Sequence, residues 1–376
     1  MRKRTLIPLL IAVILLCALG AMLYLRAKAP PEAARLLPES DAIVYLNLKS
    51  IRAVTHFDQT PIQRSPDFQQ FIDATGIVPE RDLDSVALAL HRMPDPTGPN
   101  GPVAYSEVFV GRFDGVRLAH YLASIASDQE SYTGRIIYTI PIAGRHLRIA
   151  QLGYDTLAAS NMPTPEQIHS MLDRSRAGAL STPGSSLLAT RYHEVPLLSE
   201  AWGIGHIGLP FSDDDQPNQP NGQPDYISVL GLQLPLRTDT DFVASFRYTA
   251  AAHVLSGGAV HLRIEEFAPD PAAAANTVEA LTTLLNILRG LSSEQAAAQQ
   301  SQNPAAPNPS GDAIHAILDS ITLSHDDSRA VLNANASLDQ LKALTAAHNP
   351  TASPLEPSAD TPPASHATQN APIASK

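Results

Sequence analysis

Three glycines have a spacing that could support cofactor chemistry, because Gly203-x-Gly205-x-x-Gly208 spells the fingerprint of dinucleotide-binding proteins. That fingerprint needs a strand before the glycines and a helix after them, so that the pyrophosphate meets a helix N-terminus. Here the glycines fall inside a predicted strand, 201–209, and Pro210 follows it. We therefore interpret them as small residues that allow close packing, and we expect no bound nucleotide.

A second candidate is the acidic loop around Asp213-Asp214-Asp215. Clustered carboxylate and amide oxygens are the ligands that Ca²⁺ prefers. The spacing of a calcium-binding loop is absent, however, because Pro217 stands at the third ligand position and no glutamate occupies the twelfth. A solvated loop is the better interpretation, and we predict no metal site.

No histidine stands where it could act as a general base. His193-Glu194 lies in a predicted helix, in which neighbouring side chains point apart. His325-Asp326-Asp327 is typical of a tight turn. We therefore predict no catalytic, cofactor-binding or metal-ligating residue, and no cofactor. The histidines that fall in predicted strands, where a surface or hydrogen-bonded histidine is the usual outcome, are His91, His146, His206 and His261.

Other catalytic motifs are missing from the sequence. It has no GxxxxGK[ST] phosphate loop, no HExxH, no GxSxG and no CxxC pair. Its one cysteine, Cys17, lies inside an apolar run, so the rest of the chain has neither a disulfide nor a cysteine nucleophile. These absences favour a protein that is not an enzyme.

The composition excludes one class of partner. The formal net charge of the 376 residues is −11, and 44% of them are hydrophobic. A nucleic-acid-binding surface would be basic, so we expect no nucleic acid as a partner. The length is enough for two domains of roughly 100–200 residues each.

The N-terminal residues have the pattern of a membrane anchor. Arg2-Lys3-Arg4 precedes an uncharged apolar run, Thr5–Leu25. A helix of that length reaches roughly 30 Å, the thickness of the hydrocarbon core of a bilayer. The basic residues favour a cytoplasmic N-terminus. We expect a cytoplasmic tail at 1–4, a single-pass signal anchor at 5–25, and the bulk of the chain on the periplasmic side of the inner (cytoplasmic) membrane.

Two alternatives to an uncleaved anchor stay open. A cleaved signal peptide would have an apolar core of roughly 7–15 residues before a small-x-small site. Ala18-Leu19-Gly20 and Ala27-Lys28-Ala29 fit that site, but the apolar run continues past the first and the second contains a charge. A lipoprotein would be acylated at Cys17, but Leu16 stands where a small residue is needed.

Each half of the chain contains a similar series of predicted elements. In the first half, strands are predicted at 42–48, 84–91, 103–113, 132–140, 146–152 and 156–160, and helices at 51–57, 67–75, 115–127 and 163–174. In the second half, strands are predicted at 201–209, 226–236, 241–248, 259–267, 321–324 and 330–336, and helices at 187–199, 271–291, 312–318 and 338–347. Alternating or partly apolar strands suggest antiparallel sheets with helices on one face.

This order predicts an α+β protein in which a transmembrane helix precedes two tandem domains with mostly antiparallel sheets covered by helices. A stalk at 29–35 leads to the first domain, 36–178. The second domain, 187–347, contains a flexible insertion at 292–311, which is rich in Gln, Ala, Pro and Asn. The tail, 349–376, has almost no large apolar residue and is predicted to be disordered. The alternative is one large sheet shared by both halves.

The residues around the first strand resemble those of a known kind of protein. Leu37-Pro38-Glu39-Ser40-Asp41, followed by Ile43–Leu48, resembles the LPxxD-x-x-x-Y opening of uncharacterised bacterial membrane-anchored proteins. Ile321–Ala336 and the helix after it resemble their ending. The resemblance implies a membrane location and a tandem α+β architecture. It implies no activity, because none is established for the family.

These observations favour an exported, membrane-tethered envelope protein that is an interaction or scaffold module. Its expected partners are the membrane, through the N-terminal helix, and another envelope protein, and no ligand can be named. The alternatives are a binding module for a lipid or other apolar ligand, and a hydrolase of unrecognised type. A large apolar cavity would favour the lipid-binding module. Converging carboxylates, or a histidine and a carboxylate, with shifted pKa values would favour the hydrolase.

Overall fold

The structure is a computed structural model, and it describes residues 16, 20, 28–59, 64–95, 98, 101–142, 144–178, 184–206, 226–229, 232–235, 240–249, 258–302 and 309–348. Five predicted features lie wholly or mostly outside the described residues. They are the cytoplasmic tail at 1–4, the segment 5–25, apart from Leu16 and Gly20, the third glycine at 208, the acidic loop at 213–215 and the tail at 349–376.

The first half contains strands and helices close to the predicted positions. Its strands are β1 (Ala42–Leu46), β2 (Leu83–Arg92), β3 (Val103–Gly111), β4 (Asp128–Tyr132), β5 (Arg135–Ile142), β6 (Arg145–Gln151) and β7 (Thr156–Ser160). Its helices are α1 (Glu32–Leu36), α2 (Leu48–Thr55), α3 (Pro66–Thr75), α4 (Pro79–Asp82), α5 (Gly115–Ile125) and α6 (Glu166–Ala177).

The second half continues the alternation of strands and helices. Its strands are β8 (Ala201–His206), β9 (Tyr226–Val229), β10 (Leu232–Pro235), β11 (Asp241–Thr249), β12 (Ala259–Phe267), β13 (Thr322–Asp326) and β14 (Arg329–Ser337). Its helices are α7 (Ser186–Arg191), α8 (Pro271–Gln302), α9 (Pro309–Ser320) and α10 (Leu338–His348), and a 3₁₀ turn (Tyr192–Glu194) follows α7.

One antiparallel sheet of twelve strands joins both halves, in the order β13-β14-β12-β11-β8-β1-β2-β3-β7-β6-β5-β4. The junction is β1, which pairs with β2 of the first half and with β8 of the second. The strands are antiparallel and helices pack on the sheet, as predicted. The prediction of two tandem domains is wrong, because the two halves share one sheet. Strand periodicity shows which side chains share a face and does not show which strands are neighbours.

The predicted transmembrane helix falls on the segment 5–25, most of which lies outside the described residues. Among the described residues, no helix is both long enough and apolar enough to cross a membrane. The helix α8 has 32 residues, but polar residues such as Asn276, Glu279 and Asn286 interrupt its apolar ones.

Strand register places one row of side chains on the same face of all twelve strands, and we call this face A. The row is Thr322, Asn333, Arg263, Ser245, Trp202, Tyr45, Ala87, Val108, Ala158, Ala150, Ile137 and Glu130. The row is apolar from β8 through β1, β2, β3, β7 and β6 to β5, and it is polar over β11, β12, β14 and β13 and at Glu130 on β4. Face A therefore holds a core on one side and a hydrophilic surface on the other.

The main core lies between face A of β1–β8 and the helices α1, α6 and α7. Leu36, Ile168 and Leu188, one from each helix region, are buried there against Ile43 and Ile204. Burial of such side chains contributes roughly 1.5–3 kcal/mol each.

Residues 29–35 do not form the predicted stalk. Residues 32–36 form α1, and Ala33 and Ala34 are buried in the main core. The short helix was missed because five residues are too few to show a helical period of apolar side chains.

Other helices pack on the opposite face, face B. Helix α8 packs Ala274 and Val278 against Ala330, whose side chain points away from face A. In the first half, α5 packs Leu118 and Leu122 against Tyr138. Face A is therefore largely without a helical layer over β11, β12 and β14.

The predicted flexible insertion at 292–311 is mostly helical. Helix α8 continues to Gln302, and α9 begins at Pro309. The extension is rich in Gln and Ala, which are good helix formers. Composition alone did not separate a long polar helix from a flexible segment.

Candidate functional site

The segment 192–199, which follows α7, runs across face A and separates two cavities. We call it the dividing segment. Pro196 lines both cavities. On the β1 side lies a cavity of about 280 Å³ with an aromatic floor, the aromatic pocket. On the β12 side lies a cavity of about 410 Å³ with charged and amide side chains, the polar groove.

Three aromatic side chains form the inner part of the aromatic pocket. Tyr45 stacks on Trp202 with their ring centroids 5.5 Å apart, and Tyr192 meets Trp202 edge to face at 5.3 Å. Cross-strand register places Tyr45 beside Trp202. Burial raises the pKa of both phenols above the ordinary value, so both are neutral hydroxyls at neutral pH. The pocket floor is thus uncharged at neutral pH.

Two leucines of the dividing segment stand at the mouth of this pocket. Leu197 is 39% exposed and Leu198 is 80% exposed. Leu198 also has φ of +64°, in the left-handed region that disfavours any residue with a Cβ atom. This backbone conformation costs about 1–2 kcal/mol for a leucine and little for a glycine.

The polar groove is lined by side chains from three strands and the dividing segment. Its lining residues are Glu194, Pro196, Ser245, Arg247, His261, Leu262, Arg263, Glu265, Asn333 and Asn335. Apart from Leu262 and the dividing segment, these residues occupy alternate positions of β11, β12 and β14 on face A. Alternation of polar and charged residues at 261, 263 and 265 is a sequence signal for this surface that was missed.

Ion pairs hold both carboxylates of the groove. Arg329 donates from Nη1 and Nη2 to the two oxygens of Glu194, each at 2.9 Å. Arg263 Nε donates to Glu265 Oε1 at 2.5 Å, and Arg329 also reaches Glu265 Oε2 at 3.5 Å. The Arg329 hydrogen bonds hold the pKa of Glu194 below its ordinary value. Glu194 therefore stays ionised and is a poor proton donor at neutral pH.

His261 organises the far side of the groove. Its Nδ1 donates to Asn335 Oδ1 at 2.5 Å, and its Nε2 lies 2.6 Å from the hydroxyl of Thr249. Both ring nitrogens are therefore engaged by neighbouring polar groups. The amide NH₂ of Asn335 is left as a donor.

The glycines of the GxGxxG pattern pack the strands closely. Gly203 and Gly205 lie inside β8, and no helix N-terminus follows them in the described residues. A Cβ atom on Gly205 would lie 2.4 Å from the Cβ of Ala42 on β1. This supports close packing as the role of Gly205.

Of the histidine positions singled out from the sequence, one, His193, differs from its prediction. His91, His146, His206 and His261 lie in strands, as expected. His193 and Glu194 do not point apart, because they lie in a 3₁₀ turn and their side chains meet at 3.1 Å. Glu194 is nevertheless held by Arg329. His325-Asp326-Asp327 ends β13 and enters the turn to β14, with Asp327 at φ +49°.

A buried serine–histidine contact was missed by sequence reasoning. His91 Nε2 lies 2.9 Å from Ser106 Oγ, which lies 3.1 Å from Ser160 Oγ. Such a pair resembles part of a hydrolytic site. Ser106 is fully buried, however, so no substrate reaches it. The contact satisfies polar groups between β2, β3 and β7.

No metal centre is found among the described residues, where no three His, Cys, Asp or Glu side chains are grouped so that they could hold an ion. The site is therefore a pair of adjoining cavities on face A. This arrangement is suited to binding. The aromatic pocket can accommodate an apolar group, and the polar groove offers hydrogen-bond donors.

No protein-family model matches the chain, and no curated protein matches it. Solved structures of TP0453 are distantly similar to it. Crystal form III of TP0453 has a TM-score of 0.43 at 9% sequence identity, over 85% of this chain and 99% of that chain. Crystal form I has a TM-score of 0.41 at 9% identity, over 84% of this chain and 97% of that chain. Scores this low carry no argument about the function of the chain.

Proposed function

We propose that the chain is a non-enzymatic interaction module whose aromatic pocket receives an apolar side chain of a protein partner. The observation that carries the proposal is Leu198. This side chain is 80% exposed and stands at the pocket mouth on a left-handed backbone. Strained, exposed residues cluster at binding sites, where the strain holds a side chain in place.

The composition of the pocket supports a protein partner. Tyr and Trp are enriched among the residues that dominate binding energy, and an apolar rim that excludes water strengthens such contacts. Leu197 and Leu198 would form that rim around the floor of Trp202. Asn47 and Ser199 add polar groups that can fix the orientation of a bound segment.

The polar groove supports a non-enzymatic function. A general acid needs a pKa near the working pH, and Arg329 lowers the pKa of Glu194 away from it. His261 has both ring nitrogens engaged, by Asn335 and Thr249. This argues against the hydrolase alternative.

A lipid or other apolar molecule is the second candidate for the pocket, and the aromatic floor favours it. Pockets for small ligands usually measure about 300–1,000 Å³. At about 280 Å³, the pocket lies just below that range and suits one or two side chains better than a whole acyl chain. A protein partner is therefore the first choice.

The location at the inner membrane, with the bulk of the chain outside the cytoplasm, stays a prediction. A reporter that works only in the cytoplasm, fused after Lys376, should be inactive. Activity of that reporter would refute the exported topology.

Photo-crosslinking in cells tests the proposed function. Benzoylphenylalanine replaces Leu198 in one variant and Tyr154 in the control, because Tyr154 is 98% exposed but does not line the pocket. We expect a protein adduct of one discrete mass at position 198 that is absent at position 154. The adduct should disappear when Trp202→Ala is added.

Two outcomes would overturn the protein-partner assignment. Lipid adducts at position 198 without a protein adduct would support the second candidate instead. Equal labelling at positions 198 and 154 would show that the pocket mouth has no preferred partner.

A further inference from the structure

The aromatic pocket and the polar groove lie on either side of the dividing segment, over one row of strand neighbours. Trp202 on β8 stands opposite Ser245 on β11, which stands opposite Arg263 on β12, which stands opposite Asn333 on β14. All four side chains are on face A. A segment bound in the pocket would enter the groove by passing over the dividing segment at Pro196.

Three guanidinium groups meet two carboxylates at the groove, because Arg329 reaches Glu194 and Glu265 from outside the lining. The carboxylates of Glu194 and Glu265 are both used by Arg329 and Arg263. Arg247 is exposed, and its guanidinium makes no ion pair or hydrogen bond with another described residue. One positive charge therefore faces the groove without a counter-ion from the described part of the chain.

The neutral groups beside Arg247 include hydrogen-bond donors. The Oδ1 atom of Asn335 is taken by His261, so its NH₂ group remains to donate. The side chain of Asn333 makes no hydrogen bond with another described residue, and Ser245 places a hydroxyl in the same wall, so both can donate or accept. A ligand that supplies acceptor atoms and a negative charge therefore finds partners in the groove.

We infer that the polar groove binds a carboxylate, carried by an acidic residue of the same partner segment whose apolar side chain fills the aromatic pocket. The inference rests on the proposed function. A guanidinium forms paired hydrogen bonds with a planar carboxylate. A phosphate with two negative charges is disfavoured, because Glu194 and Glu265 line the same cavity.

The strand spacing sets the distance between the two anchors. Arg247 on β11 lies one strand spacing across from Trp202 and two residues along from its partner Ser245, about 8 Å in a straight line, and the path over Pro196 is longer. An extended peptide covers about 3.3 Å per residue. The acidic residue should therefore stand about three or four residues from the apolar one.

Trp202 provides the readout, because it is the only tryptophan of the chain and forms the pocket floor. The full chain is titrated at low salt with acetyl-Leu-Ser-Ser-Glu-amide and acetyl-Leu-Ser-Ser-Ser-Glu-amide while Trp202 emission is recorded. The same peptides with Gln in place of Glu are the uncharged counterparts.

We expect the Glu peptides to bind about tenfold more tightly than the Gln peptides, because only the Glu peptides can form one charge-assisted hydrogen-bonded pair with Arg247. Arg247→Gln should remove this difference, and Arg247→Lys should restore part of it. Arg135→Gln is the matched control, because Arg135 is an exposed arginine on β5, far along the sheet. It should leave the tenfold preference unchanged.

The outcomes separate the two proposals. If both peptides change Trp202 emission with equal affinity, and Arg247→Gln has no effect, the carboxylate site is refuted and the apolar pocket stands. If no peptide changes Trp202 emission, the proposed function fails and the carboxylate inference fails with it.

Discussion

Glu194 and Arg329 meet as a two-point ion pair, each hydrogen bond measuring 2.9 Å, although 135 residues separate them in the chain. The same guanidinium lies over the ring of Phe267, as does that of Arg191, at 4.9 and 4.4 Å from the ring centroid. Cation–π contacts of this kind contribute roughly 0.5–2 kcal/mol. Together these contacts fix the dividing segment, which is the wall between the aromatic pocket and the polar groove.

Glu194→Gln should weaken this wall. Because Arg329 is 41% exposed, we expect the free energy of unfolding in urea to fall by only about 1 kcal/mol. The pKa of Glu194 is lowered, so its contribution is present above the unfolded pKa of about 4.3 and is lost as the pH falls through the folded value. Asp319→Asn, at the 3.7 Å pair with Arg289, should change the stability by less than about 0.5 kcal/mol. Equal losses of unfolding free energy in Glu194→Gln and Asp319→Asn would contradict a stabilising role for the Glu194–Arg329 ion pair.

Leu198→Gly should stabilise the fold and weaken binding at the same time. Glycine removes the left-handed strain but adds conformational freedom to the unfolded chain, so the net gain should be about 0.5–1 kcal/mol. Peptide binding measured by Trp202 emission should weaken several-fold, because the pocket rim is lost. Thr133→Gly is the control, since Thr133 has φ of +48° in the turn between β4 and β5. We expect Thr133→Gly to raise the free energy of unfolding without changing peptide binding. We expect Leu198→Gly to raise the free energy of unfolding and to weaken peptide binding.

Gly205→Ala should destabilise the protein because β1 approaches β8 closely there. The added Cβ would lie 2.4 Å from the Cβ and 2.9 Å from the Cα of Ala42. Such overpacking costs about 1–3 kcal/mol. At Gly203 the nearest atom, the carbonyl oxygen of Ile43, would be 3.7 Å away, which is ordinary contact. Gly203→Ala should therefore have the smaller effect in thermal unfolding, and the reverse order would contradict the register of β1 and β8.

His91 should make stability depend on pH. Burial lowers its pKa in the folded state, although Asp41 and a hydrogen bond to the backbone of Glu39 act in the opposite direction. The unfolded chain then binds more protons, so stability is lost as the pH falls from about 6.5 towards the lower folded pKa. His91→Gln should flatten this part of the curve of unfolding free energy against pH. His146→Gln, at an exposed histidine of β6, should leave it unchanged.

Local features of the fold were predictable from sequence. The predicted bounds 156–160 and 259–267 coincide with β7 and β12. The helix before Gly76 ends where predicted, because Gly76 adopts φ of +74° and terminates α3. Each of these depends on neighbouring residues alone, such as alternation, apolar runs and terminating glycines.

The candidate site was not predictable in the same way. Trp202, Ser245, Arg263 and Asn333 come from four separate parts of the chain, and only strand pairing places them in one row. The pairing of β1 with β8 joins residues more than 150 positions apart, which no local pattern shows. The contact between His193 and Glu194 was missed because a 3₁₀ turn replaces the predicted helix.

The row of side chains from Thr322 to Glu130 shows which alternate residues of every strand in the twelve-stranded sheet point to face A. Deleting Gly203 within β8 would turn the residues that follow it in this strand to the opposite face. Ile204, which is buried in the main core, would then point away from face A. The two halves are consequently not exchangeable modules, and an insertion or deletion at their junction should be far less tolerated than one in a surface turn.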